Sequence, residues 1–194
     1  MLKKDCSFIT CDGIYHINHE WDLIIAHPPC TYLTNTQSPY YDRGKYGDAY
    51  VDDRIAKRND AVSFFLKFTQ AECNHIAIEN PVGYMCTHFR HASQIIQPFW
   101  FGDPYSKKTA LWLTGLPTLA PTNMLTMPER GWDNWYRTSK GRWDTCTRDE
   151  NGKMLAWNDP RTAVIRSKTF WGIARAMASQ WSSHILNLKM NGGK

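Results

Sequence analysis

Cys30 and Glu79 are the two residues whose types and positions in this sequence best suit chemistry. Cys30 follows two consecutive prolines at the end of one short apolar stretch, and Glu79 precedes Asn80 at the end of another. A cysteine thiolate is a nucleophile, and a glutamate can hold or release a proton while a bond forms. Cysteine alone is often an inert buried side chain, and glutamate alone is often a helix cap or an ion-pair partner. Their matching positions favour a shared site.

The segments around these residues predict a strand, a helix and a second strand. Residues 21–26 and 75–81 are short and apolar and end at prolines, and residues 53–70 place apolar side chains at helical spacing. A strand, helix and strand of one sheet form a right-handed parallel crossover. Ligands of such sheets bind beyond the carboxyl ends of the strands, which is where Cys30 and Glu79 are expected.

The remainder of the chain is predicted to be mixed in structure. An Asp-Gly turn within residues 7–17 indicates a hairpin, and residues 99–101 and 109–113 are interpreted as further strands. Residues 167–181 are predicted to form a closing helix. Between these elements, residues 116–166 are rich in Trp, Pro, Gly and charge and lack periodicity, which indicates a long irregular excursion.

Composition favours one packed domain over residues 1–194. The chain is 42% apolar, contains nine tryptophans and carries a net charge of +5, which excludes a disordered chain and permits a polyanionic partner. No apolar stretch approaches the roughly 18 residues that cross a bilayer, so no membrane partner is predicted. The N-terminus lacks the apolar region of a secretory signal, which predicts a cytoplasmic location. The six cysteines form no CxxC pair, so a disulfide framework is not expected.

Several stretches of the sequence resemble the DNA cytosine carbon-5 methyltransferases, and in particular their small phage and prophage members. The most specific are the Pro-Pro-Cys loop at residues 28–30 and the Glu-Asn-Pro-Val motif at residues 79–82. The resemblance continues through residues 97–112 and 166–178, so that it covers the chain from residue 20 to residue 182. It implies an α/β fold with a Rossmann-like, methyltransferase-type sheet flanked by helices.

The resemblance also implies roles for individual residues. In that family the Pro-Cys loop presents the nucleophile and the Glu-Asn motif presents the acid, which makes Cys30 the nucleophile and Glu79 the acid. Cytosine carbon 5 is a poor nucleophile until a thiolate adds to carbon 6, and a carboxylic acid at ring nitrogen 3 makes that addition easier. The expected substrate-binding residues are Pro29, Asn80, Lys107, Lys108 and Thr109. Asn80 would orient the loop or the base edge, and Lys107, Lys108 and Thr109 would contact phosphate.

The start of the chain departs from the family pattern. Complete members begin with a strand, a glycine-containing turn, a helix and a second strand, which together hold S-adenosylmethionine. Only 22 residues precede Leu23, and they contain no such element. We therefore expect a sheet truncated at its N-terminus that lacks most of the half that binds S-adenosylmethionine. A truncated sheet exposes an edge, so we expect a homodimer that covers this edge.

The sequence leaves three functions open. The favoured one is a DNA cytosine-5 methyltransferase-like enzyme that acts on or binds a cytosine base, in DNA or in a nucleotide, through Cys30 and Glu79. The alternative is a catalytically inactive, methyltransferase-like phage protein that binds or sequesters a nucleotide or nucleic acid in a counter-defence role. A third is another one-carbon transfer, in which the thiolate activates a pyrimidine toward a different donor.

Three other clusters have simpler interpretations than a site. Cys6, Cys11, His16 and His19 are zinc-capable, but their spacing departs from the common finger pattern, and no metal site is predicted. Aromatic and basic residues alternate between positions 132 and 143, which suits either nucleic-acid contact or core packing. The basic residues at positions 54, 57 and 58 are interpreted as a solvated helix face.

Overall fold

The computed structural model describes residues 21–128, 131–156, 158–167 and 169–191. The hairpin predicted at residues 7–17 and the zinc-capable residues at positions 6 to 19 lie outside the described residues. Within the described ranges the chain contains both helices and strands, which confirms the broad prediction of an α/β protein.

The chain divides into two compact units. They consist of Met1–Ile95 with Lys108–Thr118, and of Ile96–Lys107 with Leu119–Lys194. The first unit contains both Cys30 and Glu79.

The first unit is built on a four-stranded mixed sheet. Its strands, β1 (Ile24–Ala26), β2 (Ile76–Pro81), β3 (Gln94–Ile96) and β4 (Thr109–Thr114), lie in the order β1-β2-β4-β3. β1 and β2 are parallel, which confirms the predicted parallel pairing, whereas β4 is antiparallel to β2. β1 forms one edge of the described sheet, and its Ile25 is 39% exposed. A homodimer across this edge stays a prediction.

The helices of the first unit follow β1 and β2 along the chain. They are a 3-10 helix (Asn35–Tyr41), α1 (Arg43–Tyr46), α2 (Asp48–Thr69) and α3 (Tyr84–His88). α2 begins before the predicted start at residue 53, because Gly47 adopts a positive φ of 80° that ends α1 and redirects the chain into a new helix. No helix within the described ranges has both the length and the apolar composition needed to span a membrane.

α2 packs on the sheet through an apolar core. Phe65 is fully buried, and its ring meets that of Trp112 on β4 edge to face, with 5.1 Å between the ring centroids. Aromatic pairs in this arrangement stabilise a core beyond the area that they bury. The buried members of the core are Ile24, Ala26, Leu33, Phe65, Phe68, Ile76, Ile78, Met85, Ala110 and Trp112. Because Leu33 and Met85 belong to it, the core also holds the chain that follows β1 and β2.

The second unit combines two small sheets with C-terminal helices. β5 (Trp135–Arg137) pairs antiparallel with β6 (Trp143–Thr145), and β7 (Thr147–Arg148) pairs antiparallel with β8 (Met154–Leu155). The helical segments are a 3-10 helix (Pro98–Trp100), α4 (Pro160–Ser167), α5 (Trp171–Ala176), a π-helix (Met177–Trp181) and α6 (Ser182–Asn191). Residues 116–166 therefore contain more regular structure than their lack of periodicity indicates.

Two predicted elements of this unit are wrong. Residues 99–101 do not form a strand, because Pro98 starts a 3-10 helix, and its ring fixes φ near the helical value. The closing helix does not begin at residue 167, where α4 ends. It begins at Trp171, after the extended Phe170, and continues to Asn191.

Two tryptophans of the second unit, Trp132 and Trp181, contribute to its core. Trp132 is 5% exposed and stacks on Phe99, with 4.6 Å between the ring centroids. Trp181 is fully buried. For Trp132, core packing is therefore the interpretation that the structure supports.

Replacing Phe65 with Ala should lower the free energy of unfolding by about 3–5 kcal/mol, because the substitution removes the ring that packs on Trp112 and leaves a cavity. Met190→Ala is the control, since Met190 is 71% exposed. Its truncation should change stability by less than about 0.5 kcal/mol. Urea denaturation followed by tryptophan fluorescence measures both values. Equal effects of the two substitutions would contradict the core described above.

Candidate active site

The loop after β1 carries Cys30. In this first motif loop (residues 27–34) the two prolines differ in environment, because Pro28 is buried and Pro29 is exposed. Cys30 is half-buried, and its carbonyl accepts a hydrogen bond of 2.9 Å from the backbone N–H of Leu33. Cys30 therefore begins a turn. The rigid Pro29 precedes this turn, and the buried Leu33 ends it.

The end of β2 carries Glu79 and Asn80. In this second motif loop (residues 79–84) the two side chains lie on opposite faces of the sheet, since neighbouring residues of a strand alternate. Asn80 is 1% exposed, and its Nδ2 donates a hydrogen bond of 2.8 Å to the carbonyl of Pro28. Its Oδ1 is buried and has no hydrogen-bond partner among the described residues. Asn80, predicted to bind substrate, thus joins the two motif loops.

Two backbone contacts join the same loops further from the sheet. The backbone N–H of Tyr84 donates to the carbonyl of Leu33 at 2.8 Å, and Thr34 and Gly83 form an antiparallel β-bridge. A Cβ at position 83 would lie 2.3 Å from the carbonyl oxygen of Leu33. This close approach requires glycine, so a residue without a side chain sets the separation of the two loops.

The carboxyl group of Glu79 contacts His27. Its Oε2 lies 3.0 Å from His27 Nδ1, and the side chains of Glu79 and His27 are 17% and 44% exposed. A histidine in this position orients the carboxyl group through a hydrogen bond. Because nearly half of the histidine is in water, solvent screens the attraction between the charged forms of the pair.

His27 is a site residue that the sequence patterns did not indicate. The parallel register places Ala26 opposite Ile78, so that His27 and Glu79 follow at the same level of neighbouring strands. The contact depends on this register, which no local sequence signal indicates. The structure therefore brings Glu79, His27 and the turn of Cys30 to the carboxyl ends of β1 and β2. They lie on two loops that are joined by hydrogen bonds.

The three predicted phosphate contacts lie in different environments. Lys107 belongs to the second unit, and its Nζ donates a hydrogen bond of 2.9 Å to the carbonyl of Arg166. Lys108 and Thr109 belong to the first unit, where Lys108 is exposed and Thr109, at the start of β4, is 4% exposed. Neither unit therefore contains all three side chains.

Among the described residues, the two glycines that follow strands of the first unit do not fit S-adenosylmethionine as the family pattern holds it. That pattern needs a glycine-containing turn after a strand, with space at the glycine for the cofactor. Gly83 follows β2, and a Cβ at this position would lie 2.3 Å from the carbonyl oxygen of Leu33. Gly115 follows β4, and a Cβ there would lie 2.0 Å from the carbonyl oxygen of Asn74. The space at both glycines is thus filled by the chain itself. The described ranges contain no group of three or more His, Cys, Asp or Glu side chains that could hold a metal ion.

No protein-family model, no curated protein and no solved structure matches this chain. The resemblance to the cytosine methyltransferases therefore rests on the sequence motifs, above all those at residues 28–30 and 79–82. Membership of that family stays a prediction.

The second unit contains a separate cleft of about 640 Å³. Trp171, which is 76% exposed, and Arg175 line it together with Asp103, whose carboxylate accepts a hydrogen bond of 3.0 Å from the backbone N–H of Gly172. None of the residues predicted to form the site lines this cleft.

Replacing Gly83 with Ala should lower the free energy of unfolding by about 1–3 kcal/mol, because the new Cβ would overlap the carbonyl oxygen of Leu33. Gly44→Ala in α1 is the matched control, since its Cβ would meet only the exposed side chain of Asp42, at 3.3 Å. That control should keep its stability or gain up to about 1 kcal/mol. Urea denaturation measures both, and an unchanged stability of Gly83→Ala would mean that the two loops are not held at this separation.

Proposed function

We propose that this protein binds a cytosine base at the two motif loops and acts on it in the manner of a DNA cytosine-5 methyltransferase. Cys30 is the nucleophile that adds to cytosine carbon 6, and Glu79 is the acid at ring nitrogen 3. The observation that carries the proposal is the joining of the two loops on neighbouring parallel strands, through the bond from Asn80 to Pro28. The substrate is a cytosine nucleotide, free or within DNA.

The proposed step forms one bond and moves one proton. The thiolate of Cys30 forms a carbon–sulfur bond to carbon 6, and the electron pair of the double bond between carbons 5 and 6 moves into the ring. Ring nitrogen 3 takes the proton of the Glu79 carboxylic acid, so that the adduct is neutral and its carbon 5 becomes nucleophilic. The reverse sequence restores the base, the thiolate and the acid.

His27 supports this role of Glu79. Once the carboxyl group has given up its proton, the carboxylate can accept a hydrogen bond from His27 Nδ1, which lies 3.0 Å away. Such a charge-assisted hydrogen bond stabilises the charged form of the acid. Because the histidine is partly in water, it can exchange protons with solvent between cycles.

A second candidate function is binding of a nucleotide without reaction. The filled space at Gly83 and Gly115 favours it, because methyl transfer needs a bound donor and neither of these glycines leaves room for one. This function keeps the base site but assigns no reaction to Cys30. It corresponds to the sequestering, counter-defence role that the sequence leaves open.

Reversible addition by Cys30 should release the hydrogen of cytosine carbon 5 to water, because carbon 5 of the adduct takes up a solvent proton and then loses its original hydrogen as a proton before the thiolate leaves. The assay measures tritium released from cytosine labelled at carbon 5, in deoxycytidine monophosphate and in single-stranded DNA, without a methyl donor. Cys30→Ala should abolish the release, and Glu79→Gln should slow it by about a hundredfold or more. Cys86→Ala is the matched control and should retain it, since Cys86 is a half-buried cysteine of α3 outside the motif loops.

The exchange assay separates the two candidate functions. Release that survives in Cys30→Ala would contradict the assignment of the nucleophile. Nucleotide binding by the natural chain without any release would establish binding without reaction.

S-adenosylmethionine should bind weakly or not at all, because carbonyl oxygens fill the space at both strand-end glycines of the first unit. Isothermal titration calorimetry measures this, with and without saturating deoxycytidine monophosphate. S-adenosylhomocysteine serves as a second probe of S-adenosylmethionine binding. Micromolar affinity for either compound, equivalent to about 8 kcal/mol, would contradict the predicted loss of the cofactor half.

A further inference from the structure

Two arginines of α2 are enclosed by tyrosine rings. The guanidinium carbon of Arg54 lies 5.0 to 5.7 Å from the ring centroids of four tyrosines. That of Arg58 lies 4.1 Å and 4.5 Å from two ring centroids, and both arginines are half-buried. The interpretation as a solvated helix face is therefore wrong for Arg54 and Arg58, whereas it holds for Lys57, which is exposed. The tyrosine–arginine cluster consists of Arg54, Arg58, Tyr32, Tyr40, Tyr41, Tyr50 and Tyr84.

No carboxylate pairs with these two guanidinium groups in the part of the chain that the structure describes. The ion pairs of this region are formed by Arg43 and Lys57, with the aspartates at positions 48, 52 and 53. Arg54 donates to neutral acceptors, the side-chain oxygen of Gln37 and a tyrosine hydroxyl at 3.5 Å. Arg58 has no hydrogen bond to a described residue. Arg54 and Arg58 are thus two positive charges one helical turn apart, and neither forms an ion pair with a described carboxylate.

Three buried polar atoms of the cluster have no hydrogen-bond partner among the described residues. They are Arg54 Nε, Arg58 Nε and the hydroxyl oxygen of Tyr41. An unpaired buried polar group costs about 1–3 kcal/mol, and more when it is charged. All three groups can donate a hydrogen bond, and both guanidinium groups face the ring of Tyr41. An anion with several acceptor oxygens would supply hydrogen-bond acceptors that the described residues do not provide.

The cluster adjoins both motif loops. Tyr32 lies in the first motif loop, two residues after Cys30. Tyr84 ends the second motif loop, and its backbone N–H donates to the carbonyl of Leu33. An anion bound by the arginines would therefore lie next to the loops that form the proposed base site.

We propose that Arg54, Arg58 and Tyr41 bind the phosphate group of the nucleotide whose base enters the site of Cys30 and Glu79. The identity of this ligand rests on the proposed function, to which the inference adds a phosphate subsite. Guanidinium groups present paired N–H donors that match the spacing of phosphate oxygens. A phosphomonoester dianion balances the two positive charges, and a neutral nucleoside does not.

Equilibrium binding of three probes measures the two subsites separately. Deoxycytidine carries the base without phosphate, deoxyribose 5-phosphate carries the phosphate without the base, and deoxycytidine monophosphate carries both. The natural chain should bind the monophosphate about tenfold to a hundredfold more tightly than deoxycytidine. This advantage should shrink as the salt concentration rises.

Arg58→Gln should remove most of the advantage of the monophosphate and leave the affinity for deoxycytidine unchanged. Arg58→Lys, which keeps the charge, should retain part of it. Lys57→Gln is the matched control, because it removes a charge from the preceding position of the same helix. Lys57 is exposed and pairs with Asp53, so its loss should leave the advantage intact. Thermal denaturation of each variant establishes that it is folded.

The possible results separate the phosphate subsite from the base site. Equal affinities of the natural chain for the monophosphate and for deoxycytidine, with hydrogen exchange at carbon 5 intact, would overturn the phosphate subsite and leave the proposed function standing. Binding of deoxyribose 5-phosphate that Arg58→Gln abolishes, without any binding of deoxycytidine, would support the anion site and overturn the cytosine base site. An Arg58→Gln variant that is less stable but keeps the affinity ratio would make the arginine structural and overturn the inference.

Discussion

The hydrogen bond from Asn80 to the carbonyl of Pro28 is the contact on which the candidate site depends. Pro28 is buried, and a buried carbonyl without a donor costs about 1–3 kcal/mol. Asn80 supplies the donor from the neighbouring strand, one residue after Glu79. The loop that carries Cys30 is therefore held on the strand that carries Glu79 by a contact that leaves both proposed reacting groups available.

Neighbouring side chains of β2 have different roles because they lie on opposite faces of the sheet. Asn80 lies on the core face with Ile78 and is almost completely buried, whereas Glu79 lies on the other face, beside His27. A shift of one residue in the pairing of β1 and β2 would exchange these two faces. The apolar side chains of Ile76 and Ile78 oppose such a shift, because it would remove them from the core. The packing of α2 on the sheet thus decides which polar group is available to a substrate.

The elements that support the site could be predicted from the sequence because their signals are local. Short apolar stretches that end at prolines indicate β1 and β2, and helical spacing indicates α2. The contacts of the site could not be predicted in the same way. His27 and Glu79 are 52 residues apart in sequence, and their contact depends on the register of two strands. Two of the four tyrosines around Arg54, Tyr40 and Tyr41, come from a 3-10 helix that has no periodicity to reveal it.

The predicted addition of Cys30 to a cytosine ring is tested most directly by mass-spectrometric mapping of the adduct with a 5-azacytosine nucleotide, whose ring is more electrophilic than cytosine. The expected result is modification of the peptide that contains Cys30, strongly reduced in Glu79→Gln, with Cys73 and Cys86 unmodified. Cys146 should also stay unmodified, because burial raises the pKa of its thiol and so lowers its thiolate content. Equal modification of Cys30, Cys73, Cys86 and Cys146 would contradict the proposed chemistry. The absence of an adduct at Cys30 would contradict it as well.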